Sequence, residues 1–142
     1  MFGNIVIGID ESDHAKRAMA TVMDLAKATG DHVIVVHVQP VGSYGRGGPI
    51  PEEREQDAKS FVAAAVADLL GDGVDAEGVA IAANTDRIGQ ALLDVARQRG
   101  AGLVAVGTRG RAGLTAMLLG SVAQVVIHES EIPVLVVRDL DA

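Results

Sequence analysis

Five short apolar runs recur along the chain: Ile5-Val6-Ile7-Gly8-Ile9, Val33-Ile34-Val35-Val36, Val79-Ala80-Ile81, Leu103-Val104-Ala105-Val106 and Val134-Leu135-Val136-Val137. They are mostly β-branched and lack polar alternation, which predicts strands buried on both faces. Between them the period becomes helical. Ala15, Ala18, Met19, Val22 and Ala26 form one stripe, Ala58, Phe61, Val62, Ala65 and Leu69 a second, and Ile88, Ala91, Leu92, Val95 and Ala96 a third. A fourth helix is expected from Thr115 or Gly120 to Glu129, burying Val122, Val125 and Val126. Ser12 or Asp13 can cap the first helix, Gly30 can end it, and Gly100 can end the third.

Strands alternating with helices imply right-handed crossovers, so the expected fold is one doubly wound, five-stranded parallel α/β sheet with helices on both faces, Rossmann-like, over residues 1–142. Gln39 to Glu52, rich in glycine and proline, is the one long irregular connection, read equally as a surface loop or a lid. Glu52, Glu53, Glu55 and Asp57 suit the solvated first turn of a helix.

Composition narrows the chemistry. The chain has 142 residues, no cysteine and three aromatic residues, Phe2, Tyr44 and Phe61, so the core is aliphatic and thiol chemistry is excluded. No apolar run approaches the roughly 20 residues that span a bilayer, and no signal-peptide pattern opens the chain; a cytoplasmic protein with no membrane partner is expected. A formal charge of −7 with only three lysines argues against nucleic acid as a partner. Charge is unevenly spread, however: from Val95 to His128 there is no Asp or Glu, whereas Arg97, Arg99, Arg109 and Arg111 fall there.

In an open parallel sheet, ligands bind beyond the carboxyl ends of the strands where strand order reverses, which directs attention to the loops after the first and fourth strands. Neither a Walker loop nor a dinucleotide fingerprint is present. The fourth strand instead leads into Gly107-x-x-Gly110, nine residues, then Gly120-Ser121 at the start of a helical stripe. Glycines let backbone approach an anion, a helix start offers free amides, Ser121 adds a hydroxyl, and Arg109 and Arg111 add charge. The plainer alternative is a Gly-rich connection before a capped helix. Asp10, directly beyond the first strand, either faces the crevice or caps the helix with Ser12 or Asp13. His14, His32, His37 and His128 show no metal-ligand spacing; His37 can simply pack, and His128 suits a helix C-terminus. Met117-Leu118-Leu119 suits packing or an oligomer contact. No Ser-His-Asp set is assignable, so no catalytic residue is assigned.

Val106-Gly107-Thr108-Arg109-Gly110-Arg111-Ala112-Gly113-Leu114, Leu118-Leu119-Gly120-Ser121-Val122-Ala123 and Ile132-Pro133-Val134-Leu135-Val136-Val137-Arg138 together resemble the universal stress protein family. The opening Ile5-Val6-Ile7-Gly8-Ile9-Asp10-Glu11-Ser12 is similar to its first strand and aspartate. The glycine spacing resembles the ATP-binding subclass. That resemblance implies strand order 3-2-1-4-5, nucleoside contacts from Ile9, Asp10 and the main chain of Val38, and a phosphate path along Gly107, Arg109, Gly110, Gly120, Ser121 and Val122. It also implies a homodimer through Val134 to Val137. Glu11 stands where the family commonly has glycine, and Asn84-Thr85 where a proline commonly opens the third helix. The expected function is a nucleotide-responsive stress regulator that takes ATP. Alternatives are a slow ATPase, a self-phosphorylating enzyme or a nucleotide-free adaptor. Asp10 would serve the nucleoside or help hold a Mg²⁺ on the phosphates. The downstream partner is not legible.

Overall fold

The computed structural model describes residues 1–11, 14–41, 52–108 and 119–138. The caps expected at Ser12 and Asp13, the centre of the Gln39–Glu52 connection, Met117, Leu118 and the alternative helix start at Thr115 lie outside the described residues. The elements are β1 (Asn4–Gly8), α1 (His14–Thr29), β2 (His32–Val41), α2 (Glu52–Gly71), β3 (Ala76–Asn84), α3 (Ile88–Gln98), β4 (Leu103–Gly107), α4 (Ser121–Glu129) and β5 (Val134–Val137). A 3₁₀ turn over Thr85–Arg87 leads into α3.

All strands are parallel, in the order β3-β2-β1-β4-β5. Strand alternation sorts the core onto two faces. Ile5, Ile7, Ile9, Val33 and Val35 meet Ala18, Val22 and Ala26 of α1 and Val62 and Leu69 of α2. Val6, Ile34, Val36, Val38, Val104 and Val106 meet Leu92, Val95 and Ala96 of α3 and Ala123 and Val126 of α4. The doubly wound architecture is therefore as expected, and the three helical stripes all point inward. In α4 the buried pair is Ala123 and Val126, while Val122 and Val125 are half-buried.

Gly30 and Gly100 end α1 and α3 in the left-handed region, φ +75° and +62°. After α3 the Gly100 N–H bonds Arg97 O at 3.2 Å and the Ala101 N–H bonds Ala96 O at 2.9 Å, closing the exposed helical carbonyls in a Schellman motif.

Two expectations need correction. β3 and β5 are not fully buried: β3 is half-buried with Gly78, Ala82 and Asn84 exposed, and in β5 only Val137 is buried. Both lie at sheet edges, so among the described residues each has one strand neighbour. β2 also extends to Val41, beyond the apolar run that ends at Val36, which places His37 inside the strand. At Asn84-Thr85, where no proline stands, the Thr85 hydroxyl donates to Val41 O at 3.2 Å and ties the start of the β3–α3 connection to β2. Among the described residues no helix is long and apolar enough to cross a membrane.

Candidate functional site

The chain leaves β1 for β2 on one side and, later, β4 for β5 on the other, so the strand order reverses between β1 and β4. These strands are directly paired, Ile7 against Ala105. Their C-terminal ends therefore form one rim of the sheet, and the described candidates fall on it in two groups.

The first group comprises Ile9, Asp10 and Val38. Pairing of β1 with β2 ends at Gly8 against Val36, and the Ile9 N–H makes the last ladder bond, to Val36 O at 2.9 Å. Continuing the parallel ladder would require the Val38 N–H to bond Ile9 O. That bond is not made; His37 Nδ1 lies 3.0 Å from Ile9 O instead. Backbone groups of successive residues point to opposite edges of a strand, so residues two apart share an edge. Val36 faces β1, so Val38 does too, just beyond the point where β1 has left the sheet. Ile9 and Val38 are buried, and Asp10 is half-buried at the rim.

The second group comprises Gly107, Gly120, Ser121 and Val122. Gly107 pairs with Val137, and the Thr108 N–H bonds Val137 O at 3.0 Å. The Thr108 carbonyl then accepts the Gly120 N–H at 2.6 Å, fastening the start of α4 to the end of β4. Gly120 is the N-cap residue in extended conformation, φ −65° and ψ 161°, and its carbonyl accepts the first helical bond from Gln124 N–H at 3.0 Å. The N–H groups of Ser121, Val122 and Ala123 consequently have no acceptor within the helix, and the positive end of its dipole lies with them. The first turn of α4 contains no acidic residue. This is an arrangement suited to an anion. Arg109 and Gly110 lie outside the described residues.

The structure redistributes the positive segment seen in the sequence. Arg97 Nη1 bonds Asp94 at 3.1 Å and Arg99 Nη1 bonds Glu77 at 2.7 Å. Both are neutralised locally, and Arg99 belongs to the N-terminal end of the sheet. There His32 sits between two carboxylates, Nδ1 2.9 Å from Asp75 and Nε2 3.0 Å from Glu77. Burial by itself lowers the His32 pKa, but the bonds and charges of Glu77 and Asp75 outweigh it and raise the net value above 6.5. Glu77 is lowered in turn, first by its bond to His32 and then by Arg99. His128 lies in the last turn of α4, as expected. Among the described residues no three His, Cys, Asp or Glu side chains are grouped to hold a metal.

Sequence reasoning missed two contributors, the Thr108 carbonyl and the His37 ring. The first is a main-chain atom with no residue-type signature. The second carries a usable signal, because a polar ring inside a run as apolar as β2 must find a hydrogen-bond partner.

The family described as universal stress protein matches residues 1–138. A universal stress protein of Thermus aquaticus, from the QAH/OAS sulfhydrylase 3′ region, is 38% identical over 97% of this chain and 100% of its own length. Other relatives are longer, and the chain spans 45% of a universal stress protein of Mycolicibacterium smegmatis. Among solved structures, the hypothetical protein MJ0577 superposes with a TM-score of 0.84 over 100% of this chain and 99% of the other at 23% identity, a likeness of fold. The universal stress protein of Archaeoglobus fulgidus in complex with dAMP superposes with a TM-score of 0.72 at 27% identity, over 95% and 97% of the two chains. With the strand order, the rim geometry and the whole-length match in agreement, the chain belongs to the universal stress protein family.

Proposed function

We propose that this protein binds adenine nucleotides, ATP among them, at the C-terminal rim of β1, β2 and β4, and acts in the cytoplasm as a nucleotide-responsive regulator. Ile9, Asp10 and the main chain of Val38 take the nucleoside. Gly107, Arg109, Gly110, Gly120, Ser121 and Val122 line the phosphate path. The observation that carries this reading is the Thr108–Gly120 bond, which holds the unpaired amides at the start of α4 against the end of β4. The Archaeoglobus fulgidus relative bound to dAMP supports the ligand class. We further propose a homodimer through β5, whose one strand neighbour among the described residues is β4 and whose Val134, Leu135 and Val136 are half-buried.

Calorimetric titration with AMP and MgATP tests the site. The Gly120 backbone is extended, a conformation any residue adopts, but the position is buried, so circular dichroism first establishes that Gly120→Val is folded; its branched side chain then obstructs the anion, and MgATP affinity should fall more than about tenfold. Asp10→Ala should weaken AMP and MgATP alike, by about tenfold for one hydrogen bond to a charged group worth roughly 1.5 kcal/mol. Unaltered AMP binding with lost Mg²⁺ dependence would assign Asp10 to the metal. Wild-type affinity in Gly120→Val would refute the phosphate path.

A further inference from the structure

Among the described residues, His37 is the one strand residue in the core that is both polar and almost wholly buried, at 1% exposure. Its ring packs edge-on against Phe61 of α2, centroids 5.0 Å apart at 70°. Its Nδ1 lies 3.0 Å from the Ile9 carbonyl oxygen. A carbonyl only accepts, so Nδ1 carries the proton and donates. Ile9 is itself 7% exposed, and a buried carbonyl needs a donor. Two groups are placed to supply it: the Val38 N–H, by the logic of the parallel ladder, and the His37 ring. The ring has it.

We infer that His37 is a positioning residue that ends the β1–β2 ladder at Gly8 and so leaves the Val38 N–H available to the base of a bound nucleotide. The ring satisfies Ile9 from the α1 and α2 side of the sheet, where Ile9 and Phe61 pack. The Val38 main chain is thereby left without a partner in β1. A purine edge presents a ring nitrogen acceptor, and an N–H freed from the ladder is its natural complement. The same bond fixes the peptide that leads into Asp10. The inference rests on the nucleotide reading for what occupies the Val38 edge, but the competition between His37 and Val38 for Ile9 O is a property of the unliganded chain.

The test therefore has an arm without nucleotide. In wild-type protein the ring ¹⁵N shifts should report an Nδ1–H imidazole, and the Val38 amide should exchange rapidly with solvent. His37→Val removes the donor; the Val38 N–H should turn to Ile9 O, its exchange should slow at least tenfold, and AMP affinity should drop about tenfold. His37→Asn, whose side-chain amide reaches close to the Nδ1 position, should restore most of both. An Nε2–H tautomer in the wild type overturns the inference. So does weakened AMP binding with unchanged Val38 exchange, which would mark His37 as packing only, and so does unchanged behaviour in both assays. Failure of the wild type to bind AMP would remove the nucleotide reading, while ring tautomer and Val38 exchange would still decide the role of His37. Should His37→Val fail to fold, the wild-type ring shifts and the His37→Asn variant carry the decision.

Discussion

Gly8 is the last residue of β1, and it lies directly beneath Leu92 of α3. A β-carbon built there would stand 2.7 Å from Leu92 Cδ2 and 3.3 Å from Cδ1. Ordinary carbon contacts are about 3.5–4.0 Å, so Gly8→Ala requires a displacement of about 1 Å. Leu92 is 1% exposed, so its terminal methyls have to turn within the core to make room. Gly8 has no positive φ, so the backbone accepts alanine and the effect is steric alone. Overpacking of this kind costs about 1–3 kcal/mol, offset by about 0.4–1 kcal/mol from the less flexible unfolded chain, for a net loss of about 1–2 kcal/mol. Leu92→Ala alone should cost about 3 kcal/mol. In the double variant the clash is gone and the new methyl returns about 0.8 kcal/mol of burial, so the loss should be about 2 kcal/mol against about 4–5 kcal/mol for the sum. Urea denaturation of the four proteins measures the cycle. Additivity to within about 0.5 kcal/mol would refute the close approach of α3 to β1.

Two further outcomes follow from features on other parts of the molecule. His32, with its pKa raised, contributes stability that is present below its ordinary 6.5 and lost as pH rises through the folded value; depressed Glu77 contributes stability present above 4.5 and lost as pH falls. Thermal melts should accordingly show His32→Gln less stable than wild type near pH 6, by about 1 kcal/mol or less for such solvent-facing pairs, and the gap should close near pH 9; a gap independent of pH would mean the carboxylates do not hold a proton on His32. In the proposed dimer, Val136→Asp puts a charge on β5 and should yield monomers by light scattering; because Val136 also packs against the α3 and α4 core, the result counts only where circular dichroism shows a folded chain, and a wild type that is monomeric at high micromolar concentration would end the dimer reading.

The fold was legible because the two hydrophobic periods hardly overlap. The α1 stripe from Ala15 to Ala26 and the bare β-branched runs of β1 and β4 each fit one template, and Gly30 and Gly100 stand where positive φ is required. The extent of β2 was obscured by Pro40, which normally argues against a strand. Pro40 shares the parity of Val36 and Val38, so its missing N–H faces the side where β1 has already ended, and its pairing with Ala83 proceeds unharmed. β3 was obscured by its edge position, which admits Glu77 and alanines in place of an apolar run. The glycine spacing located the start of α4, since Gly120 is its N-cap residue. The His32 cluster was illegible for a different reason: its carboxylates are 43 and 45 residues distant, and only the register of β2 against β3 brings them together.

The Thr108–Gly120 bond has a consequence for how this family member can diversify. The bond fixes where β4 ends and α4 begins independently of the length of chain between Thr108 and Gly120. Each doubling of such a loop adds only about 0.6 kcal/mol of closure entropy, so insertions there need not unseat either element. Evolution, or a designer building a reporter, can insert a sensing segment after Gly110, keeping Arg109 and Gly110 of the proposed phosphate path, and still return the chain to the same amides at the head of α4.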